Sequence, residues 1–137
     1  MKIEPQIYVR GSVEAVEFYL KAFNGTLGFH AKNKDGTYAH ADIMVGDSAI
    51  LAICEMGEYD YIIHAEHRDY SCCEKSMPVM QFNIYDLGTQ EAVITAYQIL
   101  SEDAIRNENP NGPEPVPWSK YCFGLVDKYN IFWWISI

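Results

Sequence analysis

The sequence predicts a mixed α+β chain built from two tandem βαβββ modules. Three observations carry that reading. The stretch QIYVRGSVEAV at 6–16 returns without a gap as NIYDLGTQEAV at 83–93, sharing Ile, Tyr, Gly, Glu, Ala and Val. Each copy runs from an alternating strand through a glycine turn into a helix whose apolar residues recur at helical spacing. A length of 137 residues, 49% of them apolar, suffices for one packed domain or two half-size modules sharing a core, but not for two independent domains.

In the first module, Ile3 to Val9 alternates and reads as a strand. Gly11 and Ser12 supply a turn and a helix N-cap, after which Val16, Tyr19, Leu20 and Phe23 fall on one helical face. Three strands are expected next: Thr26 to Ala31, Tyr38 to Val45 after the turn Lys34-Asp35-Gly36, and Ser48 to Cys54 after Gly46-Asp47. The second module repeats the plan. Val79 to Tyr85 is its first strand, Gly88 and Thr89 its turn and cap, and Val93, Ala96, Tyr97 and Leu100 its helical stripe. The strand after this helix is poorly signalled by Ala104 to Glu108. A Pro/Asn-rich loop from Asn107 to Pro117 precedes the strands Lys120 to Val126 and Ile131 to Ile137, which are joined by a turn at Asp127 to Asn130. The expected boundaries are 1–57, a linker at 58–77, and 78–137, within one structural domain.

Charge narrows the partners. Nineteen acidic against ten basic side chains give a net charge of -9, which repels a phosphate backbone or an anionic membrane surface. Neither nucleic acid nor a membrane is expected as a partner. No apolar run approaches the roughly 18 residues of a membrane span, and MKIEPQIYV lacks a signal peptide's basic end and apolar core, so a soluble cytoplasmic protein is expected. The four cysteines, 54, 72, 73 and 122, show no disulfide-scaffold spacing.

The letters resemble a known family. EAVEFYLKAFNGTLGF is similar to the helix and following strand of the vicinal oxygen chelate superfamily, which includes glyoxalase I, extradiol dioxygenases and bleomycin-resistance proteins. AHADIMVGDSAILAI resembles that family's hairpin of third and fourth strands, and PVPWSKYCFGLVDKYNIFWWI the closing segment of its PhnB-like branch. Asn24-Gly25 and Tyr129-Asn130 depart from the family's usual Phe-Gly. The resemblance implies a glyoxalase-like fold, a curled mixed sheet around a cleft, in which metal-dependent members place ligands on the first and fourth strands of each module.

Those ligands are the test of the chemistry. A cation that stabilises an enediolate needs His or carboxylate donors and an open coordination position. Ala52 stands where the resemblance implies a glutamate, and the matching place in the second module, seven residues after Asp127, is Trp134. Glu4 and Gln81, on the polar sides of the first strands, are the nearest substitutes. One carboxylate and one amide make a poor metal site, so no metal and no cofactor are expected. What remains is aromatic and hydrogen-bonding: Tyr8, Tyr38, His40, Gln81, Tyr85, Trp118, Tyr121 and Trp134 are the candidate ligand-binding residues, suited to a planar or cationic compound. Tyr38, His40 and Asp42 are expected on one face of their strand, and Trp133 in the core.

Other signatures are weak or missing. HAEHRDYSCC offers His64, His67, Cys72 and Cys73, but adjacent cysteines seldom both reach one zinc ion. H-A-E-H is not the H-E-x-x-H of zinc proteases, and no glycine-rich nucleotide loop, P-loop or G-x-S-x-G elbow appears.

Two readings follow. The first is a metal-independent small-molecule binding protein. The second is a metal-dependent or acid/base lyase, isomerase or dioxygenase of the vicinal oxygen chelate type, with His40 or Glu4 as the base or a metal ligand and Tyr121 as hydrogen-bond donor. A carboxylate in hydrogen-bond reach of His40 would favour the enzyme. The resemblance implies a homodimer, since proteins of that family commonly dimerise and a closed two-fold dimer is the default for a soluble homo-oligomer; the apolar C-terminus IFWWISI, a liability at an exposed edge, gives it weak support.

Overall fold

A computed structural model describes residues 3–57 and 80–137. The linker 58–77, with His64, His67, Cys72 and Cys73, lies outside the described residues. The elements run β1 (Gln6–Val9), α1 (Ser12–Phe23), β2 (Thr26–Lys32), β3 (Tyr38–Val45) and β4 (Ser48–Glu55), then β5 (Gln81–Ile84), α2 (Gln90–Leu100), β6 (Arg106–Asn107), β7 (Glu114–Val116), β8 (Ser119–Val126) and β9 (Phe132–Ser136). This is the expected α+β chain with two sheets, four-stranded β1-β4-β3-β2 and five-stranded β5-β9-β8-β6 with β7 also on β8. The chain groups into two compact units, one of residues 3–20 and 25–57, the other of 21–24 and 80–137.

In the first unit β1 pairs parallel with β4, and β3 antiparallel with both β4 and β2. Its apolar side comprises Val9, Ala41, Ile43, Leu51 and Ile53, with Ala15, Val16, Phe18 and Tyr19 of α1 buried as well. Burying such side chains removes apolar surface from water at about 25 cal/mol per Å². The helical stripe differs from the expected one: Phe18 and Ala15 are buried, whereas Leu20 is only half-buried. β1 begins at Gln6, later than expected, because Pro5 has no N–H to donate; the Pro5 carbonyl accepts from Ala52 N at 2.8 Å.

The start of α1 also departs from expectation. Ser12 is the first helical residue, and its hydroxyl accepts from the Tyr38 amide at 2.8 Å instead of capping the helix. The cap comes from far along the chain: the Glu55 carboxylate accepts from Gly11 N at 3.0 Å and from Ser12 N at 2.7 Å. Partial burial works to raise the Glu55 carboxyl, but hydrogen bonds from Ser12 and Gly11 outweigh it and hold the group below the usual glutamate range. Gly11, at φ 79, supplies the left-handed backbone that this turn requires, and Gly88, at φ 96, does so at the matching point of the repeat.

The second unit buries Phe123, Leu125, Trp133 and Ile135 together with Val93, Ala96 and Leu100 of α2. Phe23, from the last turn of α1, meets the Trp133 ring edge-on at 5.2 Å. The cap of α2 is local, as expected: Thr89 Oγ1 accepts from Ala92 N at 3.1 Å. Asp127, fully buried, organises the last turn. Its carboxylate accepts from Tyr129 N at 2.9 Å, Ile131 N at 3.0 Å and Trp133 Nε1 at 2.8 Å. The expected loop Asn107 to Pro117 contains strand β7 and is tied down by asparagines. Asn107 Nδ2 donates to Tyr97 Oη at 3.0 Å, while Asn109 Oδ1 accepts from Gly124 N at 2.9 Å.

Candidate functional site

Register fixes which side chains share a face, because residues paired across neighbouring strands point the same way. In the first unit Gln6 pairs with Ala52, and Ala52 with Asp42, forming one row across β1, β4 and β3. The next row places Tyr8 beside Cys54, with His40 one step beyond the Ala41 to Ile53 pair on the far side of Cys54. The face therefore has two hydrogen-bonded walls. On β1, Gln6 Nε2 donates to Tyr8 Oη at 2.7 Å. On β3, His40 Nε2 and Asp42 Oδ1 are 2.5 Å apart. Small side chains, Ala52 and Cys54, lie between them.

The His40 to Asp42 pair is the carboxylate contact that the sequence leaves open. Since a carboxylate only accepts, the proton of that bond sits on Nε2. The imidazole is partly open to solvent, with 30% of its side chain exposed against 14% for Asp42. Phe29, which is exposed, lies beside it at 5.7 Å between ring centroids.

Tyr38 does not join this face. The β2 to β3 register shifts between Ala31 and Lys32, where Ala31 pairs with His40 but Lys32 with Tyr38. The extra residue, Ala39, is a bulge that breaks the alternation. Tyr38 is consequently buried, with His30 edge-on at 6.2 Å and Lys32 Nζ 4.8 Å from its ring centre. Glu4 stands before β1, outside the ladder; the first-strand residue level with Ala52 is Gln6.

The second unit repeats the row with different residues. Asn83 pairs with Trp134, and Trp134 with Gly124. Trp134, half-buried, lies across Gly124 so closely that a Cβ there would stand 3.3 Å from its Cε3. Gln81 shares this side by alternation on β5 and the exposed Tyr85 follows directly after that strand, whereas Tyr121 alternates with Phe123 and Leu125 toward the opposite side. Trp118 is exposed at the tip of the β7 to β8 hairpin, in a shallow depression with Pro115, Pro117 and Lys120.

Some proteins of this fold hold a divalent metal, so the donors matter. The level positions of the two sheets are Gln6 with Ala52 and Asn83 with Trp134: two amides, a methyl group and an indole. Among the described residues no three His, Cys, Asp or Glu side chains come together as a metal site. This donor set does not fit a catalytic Zn²⁺ or Mn²⁺ centre. Alternation puts Glu4, Gln6 and Tyr8, and Gln81, Asn83 and Tyr85, on the polar sides of the first strands, with Glu4 and Gln81 as the nearest ligand substitutes; the register instead sets Gln6 and Asn83 level with Ala52 and Trp134.

No protein-family model matches the chain, and no curated protein does. Solved structures do. A PhnB protein from Bacillus cereus superposes with a TM-score of 0.63 at 20% identity, covering 99% of this chain and 98% of its own. Protein PA1353 from Pseudomonas aeruginosa gives 0.64 at 16% identity, covering 99% and 96%. The fosfomycin resistance protein FosX from Listeria monocytogenes, solved as a point mutant with Mn(II) and 1S,2S-dihydroxypropylphosphonic acid, gives 0.54 at 11% identity, covering 99% and 88%. The chain thus has a glyoxalase-like fold, with a PhnB protein among its structural neighbours.

Proposed function

We propose that the chain is a metal-independent small-molecule binding protein; the Asp42 carboxylate, within hydrogen-bond reach of His40, favours the second reading, an acid/base enzyme. The observation that carries the binding reading is the pair of rows, Gln6 with Ala52 and Asn83 with Trp134, which offer hydrogen-bonding amides and apolar surface where a chelating centre needs anionic or imidazole donors. Within the first unit, Tyr8, Gln6 and His40 offer one ligand-binding face; within the second, Asn83, Tyr85 and the indole of Trp134 offer another. A planar organic compound, neutral or cationic, suits these groups, because aromatic faces attract cations and the net charge of -9 disfavours anions. The protein is proposed to act as a cytoplasmic homodimer; among the described residues no helix is long and apolar enough to cross a membrane.

The test combines elemental mass spectrometry of untagged protein, loaded in turn with zinc, nickel, manganese and iron(II), with a thermal-shift screen of aromatic and amine compounds. The expected result is no stoichiometric metal and a Tm increase with at least one compound, reduced by Trp134→Ala or Tyr8→Ala. A stoichiometric metal lost on Gln6→Ala or Asn83→Ala would overturn the reading.

A further inference from the structure

We infer that the second unit's sheet selects organic cations, an aromatic ring lying on the Trp134 indole while the Glu108 carboxylate holds the attached ammonium group. This deepens the binding reading above and rests on it, since it requires a ligand on this face.

Glu108 reaches this face through the register. Its amide donates to the Gly124 carbonyl at 3.0 Å, which continues the β6 to β8 ladder one residue beyond the Asn107 to Leu125 pair. The row of Asn83, Trp134 and Gly124 therefore ends on Glu108. A Cβ at Gly124 would stand 3.3 Å from Trp134 Cε3 and 3.6 Å from Glu108 Cγ, so the indole and the glutamate stem flank one gap that any side chain at 124 would fill. Alternation fixes the sides of the strand. Asn107 turns toward α2, where it donates to Tyr97 Oη, and Arg106 and Glu108 turn the other way.

These two groups suit one kind of ligand. The indole takes a ring by stacking and attracts the positive charge beside it, and the carboxylate supplies the counter-charge. Arg106 Nε already lies 2.6 Å from Glu108 Oε1, but a carboxylate has lone pairs for further donors. An ion pair with 45% and 39% of its side chains exposed also contributes little, so an ammonium group can share or displace the guanidinium. The net charge of -9 favours a cation further. Trp134 and Glu108 stand on β9 and β6, about 10 Å apart at about 4.8 Å per strand, and both side chains reach the gap at Gly124 between them. A ring carrying an amine on a short chain spans the remainder. Gln81 and Asn83, exposed on β5 at the other side of the indole, offer hydrogen bonds to a polar ring substituent.

The probes are phenethylamine, 2-phenylethanol and 3-phenylpropanoate, which share a ring and chain and differ in charge; affinities are read from the NMR shifts of the indole N–H signals at neutral pH. Because the face is open to solvent at Asn83 and Glu108, the ratio between probes decides the matter, not the absolute affinity. Phenethylamine is expected to bind about 10-fold more tightly than 2-phenylethanol, with 3-phenylpropanoate weakest. Glu108→Gln removes this preference and leaves the binding of 2-phenylethanol unchanged. Arg106→Ala raises the affinity for phenethylamine about 2- to 5-fold, since it removes the competing cation. Glu91→Gln, which neutralises an exposed carboxylate in the first turn of α2, leaves the preference intact; a loss there equal to that of Glu108→Gln assigns the effect to overall charge and overturns the site. Equal affinities for phenethylamine and 2-phenylethanol overturn the cation site and leave the binding function standing. Failure of all three probes to bind overturns the ligand class, while the thermal-shift screen judges the binding function separately.

Discussion

Ala52 in the first sheet and Trp134 in the second occupy the same place in the same topology, each paired with the first strand of its unit and with the third strand of its hairpin ladder. Around Ala52 the neighbours are hydrogen-bonded polar groups: Gln6 on one side, Asp42 on the other. Around Trp134 they make room, since a Cβ on Gly124 would stand 3.3 Å from the indole Cε3. The two copies of the fold differ in surface, one holding hydrogen-bonding groups around a small centre and the other presenting a large aromatic side chain.

The helix starts show the same divergence. Thr89 caps α2 from the adjacent position, whereas α1 depends on Glu55, which arrives with the last residue of β4. One cap forms with its helix; the other forms only when the sheet does.

Substitutions can break these differences in order of size. Asp127→Ala removes the acceptor for two amides and the Trp133 indole in a dry site, and is expected to cost about 3 kcal/mol or more, read as a fall in Tm and in denaturant midpoint. Gly124→Val pushes its side chain into Trp134 and should cost about 1 to 3 kcal/mol. The matching Ala52→Ser, where no indole lies, should shift the midpoint far less. Glu55→Ala should cost about 1 to 2 kcal/mol and Thr89→Ala about 1 kcal/mol. The two caps separate most clearly by pH. The folded-state Glu55 carboxyl sits below its unfolded value, so its contribution is complete above that value and disappears as the pH falls through the folded one. Glu55→Gln should therefore flatten the acid limb of the stability curve, and Thr89→Ala should leave its shape unchanged.

The repeat makes the strand–turn–helix plan legible, and the turn glycines make β3 readable at both ends. Less is legible where one residue is inserted or a partner is distant. The bulge at Ala39 turns Tyr38 into the core, and nothing in the letters YAHADIMV marks the break. Period-2 alternation identifies a strand's two sides but not which residue of the neighbouring strand stands opposite. For that reason Glu4 and Gln81 are the expected substitutes for the metal ligands, where the register sets their strand neighbours Gln6 and Asn83 level with Ala52 and Trp134. Glu55 reads as the frayed end of a strand, because its partners lie at Gly11 and Ser12. β6 falls within the poorly signalled strand at Ala104 to Glu108, whereas β7 is hidden in a loop whose prolines and asparagines read as turns. The His40 to Asp42 contact is implied by their spacing, though its closeness is not.

The three tryptophans form a built-in set of optical reporters. Trp133 is sealed in the core with its indole N–H held by Asp127, Trp134 is half-buried across Gly124, and Trp118 stands in water at a hairpin tip. Their emission should span blue-shifted to red-shifted wavelengths within one spectrum. Unfolding then reads out at the blue edge, from Trp133, while a compound resting on the second sheet's face quenches the intermediate band from Trp134. Trp118 supplies an internal standard that neither event should move.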